Sequence, residues 1–202
     1  MNSEQNFLKN SPASLILSGG KSGRFPNHQK ALLPFSSNTN FIEQIISVYI
    51  RSDIKRIQVV VQPEIVLPEK LIQQPEVSVC INHQPDLGRL YSIQCGLKNL
   101  KDEEFCFIQN VDSPFIDTQT ILSLSKHCFD ADCIVPTMDG KRGHPVLISK
   151  KIMEYILSID DYELTLRDIL EQFKKVEVKV EQPGILININ TPEEYNRYFS
   201  KK

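Results

Sequence analysis

Two stretches of this chain carry residue types whose spacing could do chemistry on a phosphorylated substrate. The first is LSGGKSGRFPNHQK, from Leu17 to Lys30, where Gly19, Gly20 and Gly23 alternate with Ser18 and Ser22 ahead of Arg24 and Lys30. Small residues let backbone N–H groups come close to a polyphosphate, and two cations six positions apart can neutralise several of its charges. The pattern is neither a GxxxxGK[ST] loop nor a GxGxxG fingerprint. A Gly/Ser loop after a first strand can also be an ordinary turn into a helix. Two cations followed directly by the apolar ALLPF favour the binding of a nucleoside triphosphate.

The second stretch is FCFIQNVDSPF, in which Asp112 ends an apolar run and precedes Ser113-Pro114. Its carboxylate should emerge at the C-terminal edge of a sheet, where open α/β sheets bind ligands. A hard oxygen there suits Mg²⁺, which takes few protein ligands and completes its shell with phosphate oxygens and water. The plainer alternative is that Asp112 caps the turn before the next helix. Asn188 and Asn190, in ILININTPEEY, offer amide oxygens two positions apart. On a strand they would share a face, so either could be a second metal ligand, while Asn190 is also placed to help start the last helix.

The rest of the chain must position these groups. Ala13 to Leu17 reads as a buried strand and residues 1–12 as a flexible lead-in to a single domain over 13–200. Helical spacing of Phe41, Ile42, Ile45, Ile46 and Tyr49 is followed by a β-branched run from Ile57 to Val61, which gives the βαβ order. The alternation predicts strands at Val77–Ile81, Phe105–Val111 and Cys133–Pro136, with helices at Leu90–Leu100 and Thr118–His127. Asp139-Gly140 then marks a hairpin turn. Helices at Lys151–Leu157 and Thr165–Phe173, a strand at Val176–Val180 and the final run ILIN complete the pattern. The last helix should start at Thr191 as N-cap, with Pro192 in its first turn and Glu193 and Glu194 where the helix dipole favours acids. Such alternation specifies an α/β protein with a mostly parallel sheet covered on both faces.

With 202 residues, 41% of them hydrophobic, the chain can bury one sizeable core. A formal net charge of −2, with no block of like charges, argues against duplex nucleic acid as a partner. The lack of a long apolar run or a signal-like N-terminus predicts a cytoplasmic protein without a membrane partner. Cys80, Cys95, Cys106, Cys128 and Cys133 include no CxxC pair and read as reduced core residues. His28, His83 and His127 have no zinc-site spacing, and no GxSxG or Cys/His nucleophile arrangement is present.

The stretch SLILSGGKSGRFPNHQKALLPF resembles the N-terminal signature of the nucleotidyltransferases that make dinucleotide forms of the molybdenum cofactor, a pattern of LAGG or LAAG, then SxRMG, then K. The departure is Pro26-Asn27, where glycine is expected. The resemblance implies a three-layer α/β/α, Rossmann-like fold of the nucleotide-diphospho-sugar transferase type. It further implies that Leu17, Ser18, Gly19 and Gly20 wrap base and phosphates, that Arg24 and Lys30 hold the triphosphate, and that Asp112 is a metal ligand. INHQPDLGRLYSIQCGL is similar to the cytidylyltransferase pattern, which implies nucleotide contacts from Asn82 and Ser92 and a closing loop hinged at Gly88. GKRGHPVLIS resembles the acceptor-side loop of the same group, with His144 contacting the second substrate. LTLRDIL, with Arg167 and Asp168, loosely resembles a further cytidylyltransferase stretch.

The activity implied is Mg²⁺-dependent transfer of CMP or GMP to a phosphorylated acceptor, molybdopterin or its molybdenum form, with release of pyrophosphate. A molybdoenzyme or cofactor-delivery protein would then receive the product. LSGG and ININTPEE lean towards the guanylyl type; the Asn82 segment and RGHPVL lean towards the cytidylyl type. Two other functions fit parts of the pattern. One is a sugar- or alditol-phosphate nucleotidyltransferase, which additional acceptor loops would favour; the other is an inactive nucleotide-binding regulatory protein, which loss of the acid at position 112 would favour.

Overall fold

The computed structural model describes residues 11–18 and 30–199. Eight strands form one sheet: β1 (Ala13–Leu17), β2 (Ile57–Val61), β3 (Val77–Ile81), β4 (Phe105–Asn110), β5 (Cys133–Met138), β6 (Lys141–Arg142), β7 (Val146–Ser149) and β8 (Lys175–Lys179). Their order is β3-β2-β1-β4-β7-β5-β6, with β8 also paired to β5. The β1–β2, β2–β3, β1–β4 and β5–β8 pairs are parallel, whereas β7 runs antiparallel to both β4 and β5. Crossover helices connect the parallel strands and cover the faces, so the central strands carry side chains buried on both sides, whereas β3 and β8 keep exposed residues. All five residues of β1 and of β2 are buried accordingly.

Alternate residues divide the core into two layers. Ile16, Val59, Phe107 and Ile134 face one layer, while Leu15, Val60, Cys106, Ile108 and Cys133 face the other. The first layer packs under α1 (Phe41–Arg51), α2 (Glu69–Ile72), α4 (Thr118–Ser125) and α7 (Pro192–Phe199). The second packs under α3 (Gly88–Leu97), α5 (Lys150–Leu157) and α6 (Leu166–Leu170). The result is the three-layer α/β/α arrangement expected from the sequence.

Helix starts follow from local side chains. At α1, Asn40 accepts from the Glu43 N–H at 2.9 Å while Glu43 accepts from the Asn40 N–H at 2.8 Å, a reciprocal capping box. At α7, Thr191 Oγ1 accepts from the Glu194 N–H at 3.2 Å, which gives the cap predicted for Thr191. The hairpin turn also lies where expected: Met138 pairs with Lys141, and Asp139 and Gly140 between them have φ of 50° and 71°, the sign a two-residue I′ turn requires.

The structure departs from the sequence reading in several places. The final apolar run is not a strand: Pro183–Leu186 is a 3-10 turn, and residues 187–190 join no sheet. Pro183 cannot donate to a ladder, and Gln182 Oε1 accepts from the Gly184 N–H at 3.0 Å, which winds the segment instead. The helices at 90–100, 118–127 and 165–173 are shorter or displaced, and α2 is additional. β5's partner strand is broken by Gly143-His144-Pro145 into β6 and β7. The cysteines are all free, but Cys80 and Cys95 are only half-buried. Burial pushes the Cys133 thiol up to about 11 and Cys128 to about 12. Among the described residues no helix is long and apolar enough to cross a membrane.

Candidate active site

The parallel strands β1, β2, β3 and β4 end at one edge, and the conspicuous polar groups gather there. Leu17 and Ser18 leave β1 side by side with Val111: the Val111 N–H donates to the Leu17 carbonyl at 3.0 Å, and the Ser18 N–H donates to Val60 at 2.9 Å. Ser18 Oγ is buried without a hydrogen-bond partner among the described residues. Gly19, Gly20 and Arg24, expected to hold the triphosphate, lie outside the described residues, as do Pro26 and Asn27.

Asp112 sits in the turn that follows β4, and a buried glutamine fixes that turn. Gln109 is fully buried, and its side-chain amide donates to the carbonyls of Asn110 at 2.7 Å and Ser113 at 3.0 Å. Such a buried amide would be costly unpaired, so its bonds hold the backbone on either side of Asp112. A glutamine set directly after the apolar FCFI was the sequence signal for it.

Ser113 draws the two candidate metal ligands together. Its hydroxyl lies 2.5 Å from Asn188 Oδ1 and 3.3 Å from Asp112 Oδ1. The Ile189 N–H donates to the Asp112 carbonyl at 2.7 Å, so the backbone between the two asparagines is pinned to the acid's own turn. The pair fits a small hard cation: a carboxylate and an amide oxygen bracket one hydroxyl, and Asn188 is exposed to solvent and further ligands. No cluster of three or more His, Cys, Asp or Glu side chains exists among the described residues to hold a metal alone. Asn190 is engaged differently. Its Oδ1 accepts from Lys30 Nζ at 2.9 Å. Without a strand under them, the two asparagines diverge, one to Ser113 and the other to Lys30.

α7 secures this arrangement. Glu194 Oε2 accepts from the N–H groups of Asn190 at 2.6 Å and Thr191 at 3.0 Å. Phe199 stacks on Tyr195 and Phe115 with ring centroids 4.8 and 5.4 Å apart, and it packs against Phe35 at 5.5 Å. Tyr195 Oη donates to the Pro34 carbonyl at 2.9 Å. One helix thus ties the segment after Lys30 to the segment after Asp112. Gly184 lies so close to Phe115 that a Cβ there would collide with its carbonyl oxygen, and a Cβ on Gly143 would lie 2.5 Å from the Ile185 oxygen.

A second group approaches Asp112 from other elements. His144, at the break between β6 and β7, is held by its N–H donating to Ile185 at 2.9 Å. β4 and β7 are paired through Ile108↔Val146, which brings the break towards the end of β4. Burial, reinforced by the Arg89 cation and opposed by Asp112, holds the His144 ring below the ordinary histidine range. Its Nδ1 is buried with no partner among the described residues. Arg89, in the first turn of α3, is solvent-accessible yet hemmed in by protein; desolvation lowers its pKa and the Asp112 carboxylate opposes that. Arg89 was missed from sequence, although it directly follows Gly88.

Asn82 and Ser92 are occupied with one another. Asn82 Nδ2 donates to Ser92 Oγ at 2.9 Å, Asn82 Oδ1 accepts from the Gln84 N–H at 2.8 Å, and Ser92 Oγ lies 3.2 Å from the Gly88 carbonyl. Their exposures of 0% and 1% leave neither open to a ligand in this conformation. They brace the loop between β3 and α3. Gly88 has φ of 88°, a left-handed conformation that favours glycine at this junction. Asp168 forms the capping box of α6 with Thr165.

Comparison with known proteins shows the family and the fold. The family model described as the MobA-like NTP transferase domain matches residues 14–178. A Clostridium perfringens (strain 13) protein named "Probable molybdenum cofactor guanylyltransferase" is 28% identical over 208 residues, covering 97% of this chain and 99% of its own. The molybdenum cofactor cytidylyltransferase of Escherichia coli K12 is 24% identical over 131 residues, covering 64% of this chain and 66% of its own. The crystal structure of Rv0371c from Mycobacterium tuberculosis H37Rv shares the fold with a TM-score of 0.75 at 15% identity, covering 95% of this chain and all (100%) of that one. The manganese complex of that protein gives a TM-score of 0.71 at 14% identity, with 95% and 99% covered. A match spanning most of the chain, on a fold whose strand ends gather Lys30, Asp112 and the two asparagines, makes this chain a nucleotidyltransferase belonging to the MobA-like NTP transferase domain family.

Proposed function

We propose that the chain transfers a nucleoside monophosphate from GTP or CTP to the terminal phosphate of molybdopterin or its molybdenum form, in the cytoplasm. An oxygen of the acceptor phosphate attacks the α-phosphorus. A new P–O–P anhydride forms, the bond between the α-phosphorus and the bridging oxygen to the β-phosphate breaks, and pyrophosphate leaves with that oxygen. Phosphoryl and nucleotidyl transfers depend on positioning and charge neutralisation more than on a covalent nucleophile. The observation that carries the reading is the convergence of Lys30, held by Asn190, with Asp112 and Asn188, bridged by Ser113.

In this reading Lys30 and Arg24 hold the triphosphate, with Leu17, Ser18, Gly19 and Gly20 around the nucleotide. Asp112 and Asn188 hold a divalent cation, Mg²⁺ by preference, and Asn190 aims Lys30. Such an ion, when bound, supplies charge neutralisation across the phosphate oxygens. His144, whose charged form burial disfavours, is a contact for the acceptor. Asn82, Gly88 and Ser92 serve the nucleotide by fixing the loop before α3.

The acceptor is supported by the names of the relatives, and the guanylyl donor by the full-length relative together with the Asn-Ile-Asn ending. Pyrophosphate release measured with each of the four nucleoside triphosphates, Mg²⁺ and molybdopterin should be fastest with GTP. Failure to release pyrophosphate from any of the four nucleotides, while nucleotide binding persists, would sink the enzymatic reading. Faster release with CTP would move the chain to the cytidylyl type.

A further inference from the structure

Around Asp112 the protein offers cationic groups from two layers. Lys30 and Asn190 belong to the layer of α1 and α7, whose core includes Ala31, Ile185 and Ile189. Arg89 belongs to α3, which packs on the opposite layer through Leu90, Ile93 and Leu97. His144 reaches the same sheet edge from the β6–β7 break, because Val146 pairs with Ile108 of β4, and α3 begins at that edge after β3. Three elements distant in sequence therefore converge on one place.

The bonding of this group differs from that of Lys30. Arg89 makes no hydrogen bond or ion pair among the described residues, and His144 Nδ1 is buried without a partner. α3 starts with no side-chain cap on its first N–H groups. A cation in the first turn of a helix opposes the helix dipole; an anionic ligand would satisfy guanidinium and helix end together. A guanidinium also presents paired donors that match phosphate geometry.

In-line displacement dictates which phosphate this is. The attacking and leaving oxygens lie on opposite sides of the reacting phosphorus. If the pyrophosphate departs beside Lys30, the attacking phosphate must come from across Asp112. We propose that Arg89 is a substrate-binding residue that anchors the acceptor's terminal phosphate, with His144 beside it, and thereby sets the acceptor class as a phosphomonoester. The inference rests on the nucleotidyl-transfer reading above and adds a residue and a side to it.

The test is steady-state kinetics of Arg89→Gln and Arg89→Lys with GTP, Mg²⁺ and molybdopterin. Removing the charge should raise the acceptor KM at least about tenfold while the GTP KM stays within about twofold, and lysine should restore part of the loss. An unchanged acceptor KM, or a GTP KM that rises as much, overturns the assignment. If the wild-type protein itself does not turn over molybdopterin, the acceptor named above is wrong, and the anchor is tested with inorganic phosphate. In the presence of Mg²⁺ and a non-hydrolysable GTP analogue, phosphate should shift the His144 ring resonances saturably in the wild type and not in Arg89→Gln, with His144→Gln assigning the signals. No shift in the wild type, or the same shift in the variant, overturns the anchor.

Discussion

The two flanks of Asp112 are built on different plans. On one, Lys30 is hydrogen-bonded to Asn190, Asn190's backbone to Glu194, and the whole to an aromatic cluster centred on Phe199. On the other, Arg89 and His144 stand at the same sheet edge with no hydrogen-bond partner for their side chains among the described residues. A flank whose cation is already oriented stabilises charge without reorganising, which suits the bond-breaking side of a transfer. A flank whose donors are unspent suits capture of a diffusing substrate, because binding then loses no protein hydrogen bonds. In the reaction proposed above, catalysis then falls chiefly to the tied side and acceptor recognition to the open one.

Substitutions on the tied side should therefore act on turnover. Lys30→Ala should cost at least about a hundredfold in kcat, the scale of one lost charge-stabilising group, with the acceptor KM little changed. A kcat within a few-fold of wild type would dissolve the contrast between the flanks. Asn190→Ala leaves the lysine present but unaimed; loss of a hydrogen bond to a charged group, about 1.5–3 kcal/mol, predicts roughly ten- to hundredfold lower kcat/KM for GTP. A loss as large as that of Lys30→Ala would mean that Asn190 touches substrate itself.

The β3–α3 brace sharpens the comparison from the structural side. Ser92→Ala leaves the buried Asn82 amide unpaired, at a cost of about 1–3 kcal/mol in stability, which thermal melting reads as a Tm lowered by several degrees. The GTP KM measured below that Tm should stay within a few-fold. A large rise in KM with unchanged Tm would return Ser92 to the list of direct nucleotide contacts.

Much of this was legible in the sequence because periodicity and turn chemistry are local. The βαβ alternation, the Asp139-Gly140 turn and the Thr191 cap were all readable, as was Asp112 at a strand end, since each depends on neighbours within a few residues. The roles of Asn188 and Asn190 were not. Two asparagines in an apolar run look like one strand face, and only the 3-10 turn at Pro183–Leu186 sends them to different partners. Ser92 and Asn82 pair across ten positions and two elements, so no local pattern announced the bond. Arg89 was hidden for the same reason: its relation to Asp112 and His144 exists only after β3, β4 and β7 are brought to one sheet edge. The break in β5's partner strand at Gly143-His144-Pro145 likewise needed the tertiary contact with Ile185.

Both flanks presuppose that the Asp112 carboxylate stands at the centre of the reaction. Asp112→Asn keeps the shape and removes the charge, so comparing its pyrophosphate release with that of the wild type, using GTP, Mg²⁺ and molybdopterin, tests that premise directly. The account predicts acceptor-dependent release by the wild type and a rate at least about a hundredfold lower in the variant. Equal rates in the two proteins, or release that proceeds without acceptor, would contradict it.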